Sequence, residues 1–109
     1  MGELVIMKLV DLIDYVVNID TTIQVELPNV ETDLIEIYMI NSLNIDSELK
    51  FFNSEVIPDD ITINIAGIKY ISLFPLHLAI EIIEEYRTIN KYSSLDIAEK
   101  MIEYRINDA

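Results

Sequence analysis

The chain has 109 residues, the usual length of one domain with one hydrophobic core, and 51% of its residues are hydrophobic. Twenty acidic and seven basic residues give a net charge of −13, which argues against direct binding to nucleic acid or to an anionic membrane because phosphates would be repelled. Cysteine is absent, which excludes disulfides and thiolate chemistry. The two glycines and three prolines are too few for a loop-dominated chain. From the length we expect a single domain over residues 1–109.

The beginning of the chain and its longest apolar stretch indicate a soluble, cytoplasmic protein. Met1-Gly2-Glu3-Leu4 lacks the basic region and the cleavage site of a secretory signal. The stretch from Leu4 to Val17 is interrupted by Lys8, Asp11 and Asp14, so it is too short and too polar to span a bilayer.

Residues 3–17 predict a first helix with an unusually wide apolar face, because its polar residues Asp11 and Asp14 share a single stripe. Such a helix is either central in the domain or packed on two sides, once by its own core and once by a partner chain. We favour the second interpretation, a homo-oligomer whose interface consists of Val5, Leu9, Leu12 and Val16. A short initial strand over Leu4–Met7 is an alternative, since short apolar runs are ambiguous by periodicity.

The middle of the chain predicts a strand, a helix and a short strand. Thr21–Leu27 alternates with period two and is rich in β-branched residues. Glu31–Leu43 predicts a second helix with Leu34, Ile37 and Tyr38 on one side, although the Ile-Glu-Ile-Tyr-Met-Ile run within it is also compatible with a strand. Leu49–Phe52 predicts a short strand.

A β-hairpin follows the turn signal at Pro58-Asp59-Asp60. Ile61–Ile65 and Ile68–Leu73 both alternate, and the two-residue link between them ends in Gly67. This combination is typical of two antiparallel strands joined by a tight turn.

Two helices end the chain. Leu76–Ile89 begins next to Pro75 and has an inward side formed by Leu78, Ala79, Ile82, Ile83, Tyr86 and Ile89. Ser93 or Ser94 caps the last helix, whose inner stripe is Leu95, Ala98, Met101, Ile102 and Arg105. The order α-β-α-β-β-β-α-α predicts an α+β fold, with a small, mostly antiparallel sheet and helices packed on one face.

Side chains for catalysis or metal binding are scarce. Two glycines cannot build a phosphate-cradling loop, and one histidine without cysteine cannot build a zinc site. A Ser-His-acid arrangement would have to use His77, which we interpret as a boundary residue of its helix. Asp59 and Asp60 are adjacent and are interpreted as turn residues. We therefore expect no catalytic, cofactor-binding or metal-binding residues, and no cofactor.

Acidic residues on the last two helices could form a continuous surface if the helices pack antiparallel. Glu99 and Glu103 are like charges four residues apart, which costs a few tenths of a kcal/mol and is mild evidence that they serve a purpose. That purpose would be docking on a basic protein surface, including imitation of nucleic-acid phosphates, although interspersed bases dilute the charge. The alternative is that the acids only keep the protein soluble. The predicted partner-binding residues are Glu81, Glu84, Glu85, Glu99 and Glu103.

Residues 61–102 carry a family resemblance. The run Ile-Thr-Ile-Asn-Ile-Ala-Gly-Ile-Lys-Tyr-Ile-Ser-Leu over residues 61–73, the helix after it and Leu95-Asp96-Ile97 together resemble the C-terminal part of minimal nucleotidyltransferase-like proteins associated with toxin–antitoxin systems. The chain lacks that family's Gly-Ser loop and its Asp-x-Asp pair, and Ala79 and Ile80 stand where a helical Lys is expected. The resemblance therefore implies a scaffold or partner-binding role without catalysis.

These features lead to one main hypothesis, a small acidic non-catalytic protein that docks on a basic partner. Inhibitors, antitoxins and virus-encoded accessory proteins have this physical profile. The alternative is a degenerate nucleotidyltransferase-like protein, which would bind nucleotide or Mg²⁺ near Asp59, Asp60 and Asp96. A purely structural subunit is a third interpretation.

Overall fold

A computed structural model of the chain describes residues 7–14, 31–58, 60–89 and 91–108. In these residues a 3-10 turn at Thr32–Leu34 separates the first helix from the sheet. The helices are α1 (Leu9–Asp14), α2 (Leu76–Ile89) and α3 (Ser94–Asp108), and the strands are β1 (Ile35–Ile40), β2 (Leu49–Asn53), β3 (Thr62–Ile65) and β4 (Ile68–Pro75).

The four strands form one sheet in the order β2-β1-β4-β3, and every neighbouring pair is antiparallel. The predicted α+β class with an antiparallel sheet is thereby confirmed. The approximate order, with a helix first, strands in the middle and two helices at the end, is confirmed as well. Among the described residues, none of the helices has the length and apolar character needed to cross a membrane.

The core lies between one face of this sheet and the helices. Side chains of β1 and β2 that point to the same face, among them Ile37, Met39 and Phe51, are in one buried cluster with the inward residues of all three helices. Because side chains alternate across a strand, this burial assigns Tyr38 and Phe52 to the opposite face. The described helices thus cover one face only.

An irregularity in the pairing of β1 with β4 adds apolar side chains to the core. Ile37 is opposite Phe74, but the next residue, Tyr38, is opposite Ser72, so Leu73 is an extra residue on β4. Such a β-bulge breaks the alternation locally. Leu73 and Phe74 are consecutive, and both are buried in the helix-side cluster.

The opposite face carries a smaller cluster built around aromatic rings. Phe52 makes edge-on contacts with Tyr38 and Tyr70, at 5.4 and 5.2 Å between ring centroids. Ile57, from the segment after β2, packs against this cluster, and the Tyr38 hydroxyl donates a hydrogen bond of 3.1 Å to the carbonyl oxygen of Asp60. The segment between β2 and β3 therefore covers the β1 side of this face.

The helix predicted over Glu31–Leu43 is wrong. Only Thr32–Leu34 is helical, as a 3-10 turn, and Ile35–Ile40 is strand β1. Alternating Ile37 and Met39 fill the core, while Tyr38, which the helical prediction placed beside Ile37, faces the other cluster. Burial on both faces of an inner strand explains why its apolar run resembled a helix. The strand predicted over Thr21–Leu27 lies outside the described residues.

The inward sides of the two long helices differ from the prediction at three leucine or isoleucine positions. The bounds Leu76–Ile89 are confirmed, but Leu78 and Ile89 are exposed, and Leu76 is fully buried instead. In α3 the predicted inner residue Leu95 is exposed, and Ile97 is buried in its place. Each exposed residue lies near a helix end. The apolar side of the helix continues there, but the sheet does not cover it.

The predicted hairpin is confirmed, with β3 and β4 joined at Ala66-Gly67. Both turn residues have positive φ, 53° and 83°, as a type I′ turn requires. Alanine is a poor residue in this left-handed region because its Cβ approaches the carbonyl oxygen. The turn is therefore mildly strained at Ala66.

We expect Gly67→Ala to lower the free energy of unfolding by about 1 kcal/mol, because a second residue with a Cβ would adopt positive φ. No heavy atom lies within 4 Å of the position such a Cβ would take, so the loss would come from the backbone alone. Ala66→Asn should raise stability by about 0.5 kcal/mol, since Asn tolerates this conformation. Urea unfolding of both variants measures the two effects; equal stability of Gly67→Ala and the wild type would contradict the assigned turn.

Candidate protein-docking surface

The predicted docking residues of α2 lie on its outer side. Ala79 and Ile83 are fully buried against the sheet. With 100° between successive residues, Glu81, Glu84 and Glu85 are placed on the side opposite to them, and all three are exposed. The carboxylates therefore form a stripe that faces away from the core.

The start of α3 is fixed by two hydrogen bonds between Ser93 and Asp96. The Ser93 hydroxyl accepts a hydrogen bond from the Asp96 backbone N–H, and the Asp96 carboxylate accepts one from the Ser93 N–H, both at 3.1 Å. This reciprocal pair is a capping box, with Ser93 as the N-cap. Of the two serines that the sequence offered, Ser93 is the cap.

The burial of α3 determines which of its residues face outward. Ile97 and Met101 are buried in the core, so Glu99 and Glu103 project from the other side, where both are exposed. The two glutamates line a groove together with Lys91, Tyr92, Asp96 and Lys100. They also line a second groove with apolar residues of the β1–β2 connection and of α3: Leu43, Ile45, Ile102 and Ile106.

The helix pair does not bring the five glutamates into one groove. Glu99 and Glu103 share both grooves just described, and the three glutamates of α2 line neither. The acidic surface consists of two stripes, one on each helix. Together these two stripes, formed by Glu81, Glu84, Glu85, Glu99 and Glu103, are the helix-pair acidic surface.

Two arginines fasten the helices to other parts of the fold through backbone oxygens. The Arg105 Nε donates a 3.1 Å hydrogen bond to the carbonyl oxygen of Leu73, the extra residue of the β-bulge. The Arg87 Nη1 donates a 2.9 Å hydrogen bond to the carbonyl oxygen of Ile13 at the end of α1. Both guanidinium groups are thus bound to backbone oxygens, although the Arg87 side chain remains exposed.

Two lysines contact the ring of Tyr92, which itself packs against Tyr86. Lys100 and Lys91 place their Nζ atoms 4.9 and 5.8 Å from the centre of the Tyr92 ring, and Tyr86 meets the same ring edge-on at 5.6 Å. Such cation–π contacts are weak at exposed sites. The lysines lie beside the α3 stripe, so they dilute its field on one side.

The five glutamates are nevertheless unpaired within the part of the chain that the structure describes. No nitrogen of a described Lys, Arg or His lies within 4.0 Å of their carboxylate oxygens. Uncompensated carboxylates in this number create a negative potential that reaches about 10 Å into a solution of 0.1 M ionic strength.

Other residues singled out from the sequence have structural positions. His77 is exposed at the start of α2, and Asp60 is exposed and follows Asp59, which lies outside the described residues. Asp11 accepts a 2.9 Å hydrogen bond from the Lys8 backbone N–H, and Asp14 accepts one from the Ser94 hydroxyl. Over the described ranges, no three His, Cys, Asp or Glu side chains converge on a position where they could hold a metal ion.

The predicted oligomer interface on the first helix needs a correction. Leu9 and Leu12 are both 0% exposed, because α1 is sandwiched into the helix-side core and packs against α3. A second copy cannot contact them in this fold. Val5 and Val16 lie outside the described residues.

Prediction from the sequence did not identify the hydrogen bonds of Arg87 and Arg105 to backbone oxygens, nor the sheet face that the described helices leave uncovered. Arg105 was predicted on the inner stripe of α3. Its acceptor, the carbonyl oxygen of Leu73, is in a β-bulge, and no local sequence pattern predicts that bulge. The alternation of Ile61, Ile63 and Ile65 with Thr62 and Asn64 shows that the three isoleucines share one face of β3, but it does not show that this face lies opposite the helices.

No family model, curated protein or solved structure matches this chain.

Arg105→Met should lower the free energy of unfolding by about 1 to 2 kcal/mol, because the aliphatic stem stays packed while the carbonyl of Leu73 loses its donor. Lys69→Met is the matched control, since Lys69 is exposed and the same charge is removed. Its stability should change by less than about 0.5 kcal/mol. Urea unfolding measures both, and an equal loss in the two variants would show that charge, not the anchor, is responsible.

Proposed function

We propose that the protein is a non-catalytic docking protein that uses the helix-pair acidic surface to bind a basic region of another protein. The observation that carries the proposal is that all five glutamates are exposed and unpaired within the described chain, on helices whose inner sides are fixed in the core. The chain net charge of −13 supports it.

Electrostatics give such a surface a defined use. Negative charge that forms no ion pair with a described residue attracts a positively charged partner and accelerates the encounter. Because the carboxylates are exposed, they lose little hydration in the free protein and gain Coulomb energy when lysines or arginines approach. Basic regions of this kind are typical of proteins that bind nucleic acid.

Rigid support adds specificity to the attraction. The capping box at Ser93 and the bond from Arg105 to the β-bulge hold α3, and burial of Ala79 and Ile83 holds α2. Carboxylates on fixed helices can be matched by a fixed pattern of cations on the partner, at a smaller entropic cost than carboxylates on loops. A role as an inhibitor, an antitoxin-like protein or a virus-encoded accessory protein fits this arrangement.

Replacing Glu81, Glu84, Glu85, Glu99 and Glu103 together by Gln tests the proposal. The substitutions remove five charges and keep the size of the side chains, so the fold should stay intact. Wild type immobilised in a lysate of its native host should retain a basic protein at about 50 mM salt and release it near 300 mM, as screening weakens the attraction. The substituted protein should bind the same species at least about tenfold more weakly.

A second variant with the same loss of charge separates a located surface from a general negative field. Gln or Asn at the exposed acids Glu31, Asp33, Asp46, Glu55 and Asp60, none of which lies on α2 or α3, also removes five charges. We expect this control to bind like the wild type. Equal weakening in the two variants, or retention by the helix-pair variant, would contradict the proposed surface.

The degenerate nucleotidyltransferase alternative requires a nucleotide or Mg²⁺ site near Asp59, Asp60 and Asp96, of which Asp59 lies outside the described residues. The Asp96 carboxylate is engaged in the cap of α3, and Asp60 is exposed before β3, so the described residues supply no observation that favours it. Calorimetry with a nucleoside triphosphate and Mg²⁺ should give no binding heat, whereas saturable heat would favour the alternative.

A further inference from the structure

One continuous stretch of this acidic chain has no carboxylate. Residues 61–80 contain neither Asp nor Glu, although the whole chain has twenty acids. The stretch comprises Ile61, the β3–β4 hairpin and the first turn of α2. The hairpin carries a single cation, Lys69. The hairpin therefore contributes no negative charge of its own to the surface.

The same hairpin exposes isoleucines on the sheet face that the described helices leave open. Ile63 and Tyr70 belong to the cluster on this face, so their alternating neighbours Ile61, Ile65 and Ile68 lie on it too. These three are 65, 41 and 41% exposed. Ile57 covers the β1 side of the face, and the β3 side remains apolar and exposed.

Strand β3 is also an open edge of the sheet. Among the described strands it pairs with β4 alone, and the Ser72 N–H donates to the Ile61 carbonyl oxygen at 2.7 Å. Because antiparallel pairs alternate between bonded and non-bonded, residues 61, 63 and 65 direct their backbone groups to β4. Thr62 and Asn64 therefore direct their N–H and C=O groups outward, and neither forms a backbone hydrogen bond to another described residue across that edge.

Natural proteins usually block such an edge with a charge, a proline or a bulge. Strand β3 reads Thr-Ile-Asn-Ile and has none of these three devices, and its protection is limited to its length of four residues. An unblocked edge with β-branched residues, next to an exposed apolar face, is a surface suited to pairing with another strand.

We propose that β3 pairs with β3 of a second copy of this chain, so that two sheets join into one across a two-fold axis. With the axis at Ile63, the outward Thr62 of each copy meets the outward Asn64 of the other, and each pair exchanges two backbone hydrogen bonds. The cross-strand neighbours on the open face are then Ile63 with Ile63, and Ile61 with Ile65. The strand is self-complementary in both its hydrogen bonds and its apolar row.

Charge favours contact between two copies at this hairpin. Two chains of −13 repel each other, and the repulsion is least where neither presents a carboxylate in the contact. In the pairing around Ile63, the nearest described acid, Asp60, lies at the end of the contact, opposite Ala66 of the second copy. A pairing this short buries less than the roughly 800 Å² per partner of a standard interface, so the dimer should be weak, with a dissociation constant on the order of 10 μM.

Salt distinguishes this dimer from the proposed basic partner. Raising the salt from about 50 to about 500 mM screens the repulsion between the copies and should strengthen the dimer. The same change weakens binding of a basic partner. The two proposals can therefore fail independently.

Sedimentation velocity from about 1 to about 300 μM protein tests the inference, with monomer at the low end and dimer, twice 12.6 kDa, at the high end. Asn64→Pro removes only an outward N–H, so the protein should remain folded and become monomeric throughout this range. A wild-type monomer at every concentration overturns the proposal, as does a dimer that Asn64→Pro leaves intact.

A second pair of variants decides the matter if the proline variant does not fold. Ile65 and Ile68 are opposite each other in the hairpin and equally exposed, but only Ile65 is on the edge strand. Ile65→Lys should weaken the dimer at least about tenfold, because a lysine on the edge blocks pairing, whereas Ile68→Lys adds the same charge and should weaken it less than about threefold. Equal effects of the two substitutions overturn the proposed edge.

Discussion

The burial of a single face of the sheet under the three described helices is the constraint on which the other features depend. Once Ile37, Met39 and Phe51 occupy that face, the helices have to turn Ala79, Ile83, Ile97 and Met101 inward. The glutamates of α2 and α3 then point to solvent by geometry, and the opposite face of the sheet remains without a helix. Both proposed surfaces are consequences of one layer of packing.

That constraint also clarifies how acids contribute in a protein with a large hydrophobic fraction. Exposed carboxylates contribute little to folding, and their mutual repulsion opposes it slightly. The core, the capping box at Ser93 and the arginine bonds to backbone carbonyls stabilise the fold. The charge of the helix-pair acidic surface is therefore available for solubility, for repelling other copies and for attracting a basic partner, whereas the carboxylates of Asp14 and Asp96 help to hold α3 in place.

Elements with a strong local signal were predictable from the sequence. The hairpin has alternation on both sides of a glycine-containing link, and α2 begins beside a proline, so both could be placed closely. The segment Ile35–Ile40 was misjudged because an inner strand that is buried on both faces lacks a polar alternation. The burial of Leu9 and Leu12 depends on contacts with distant α3, which local periodicity cannot reveal.

Chemical labelling of carboxylates in the free protein and in its complex with the retained basic protein tests the central claim most directly. A carbodiimide with an amine label should modify Glu81, Glu84, Glu85, Glu99 and Glu103 in the free protein, where all are exposed. In the complex these five should be protected, while Glu31, Asp33 and Glu55 should be labelled as before. Protection of the second group, or full labelling of the helix glutamates in the complex, would contradict the account.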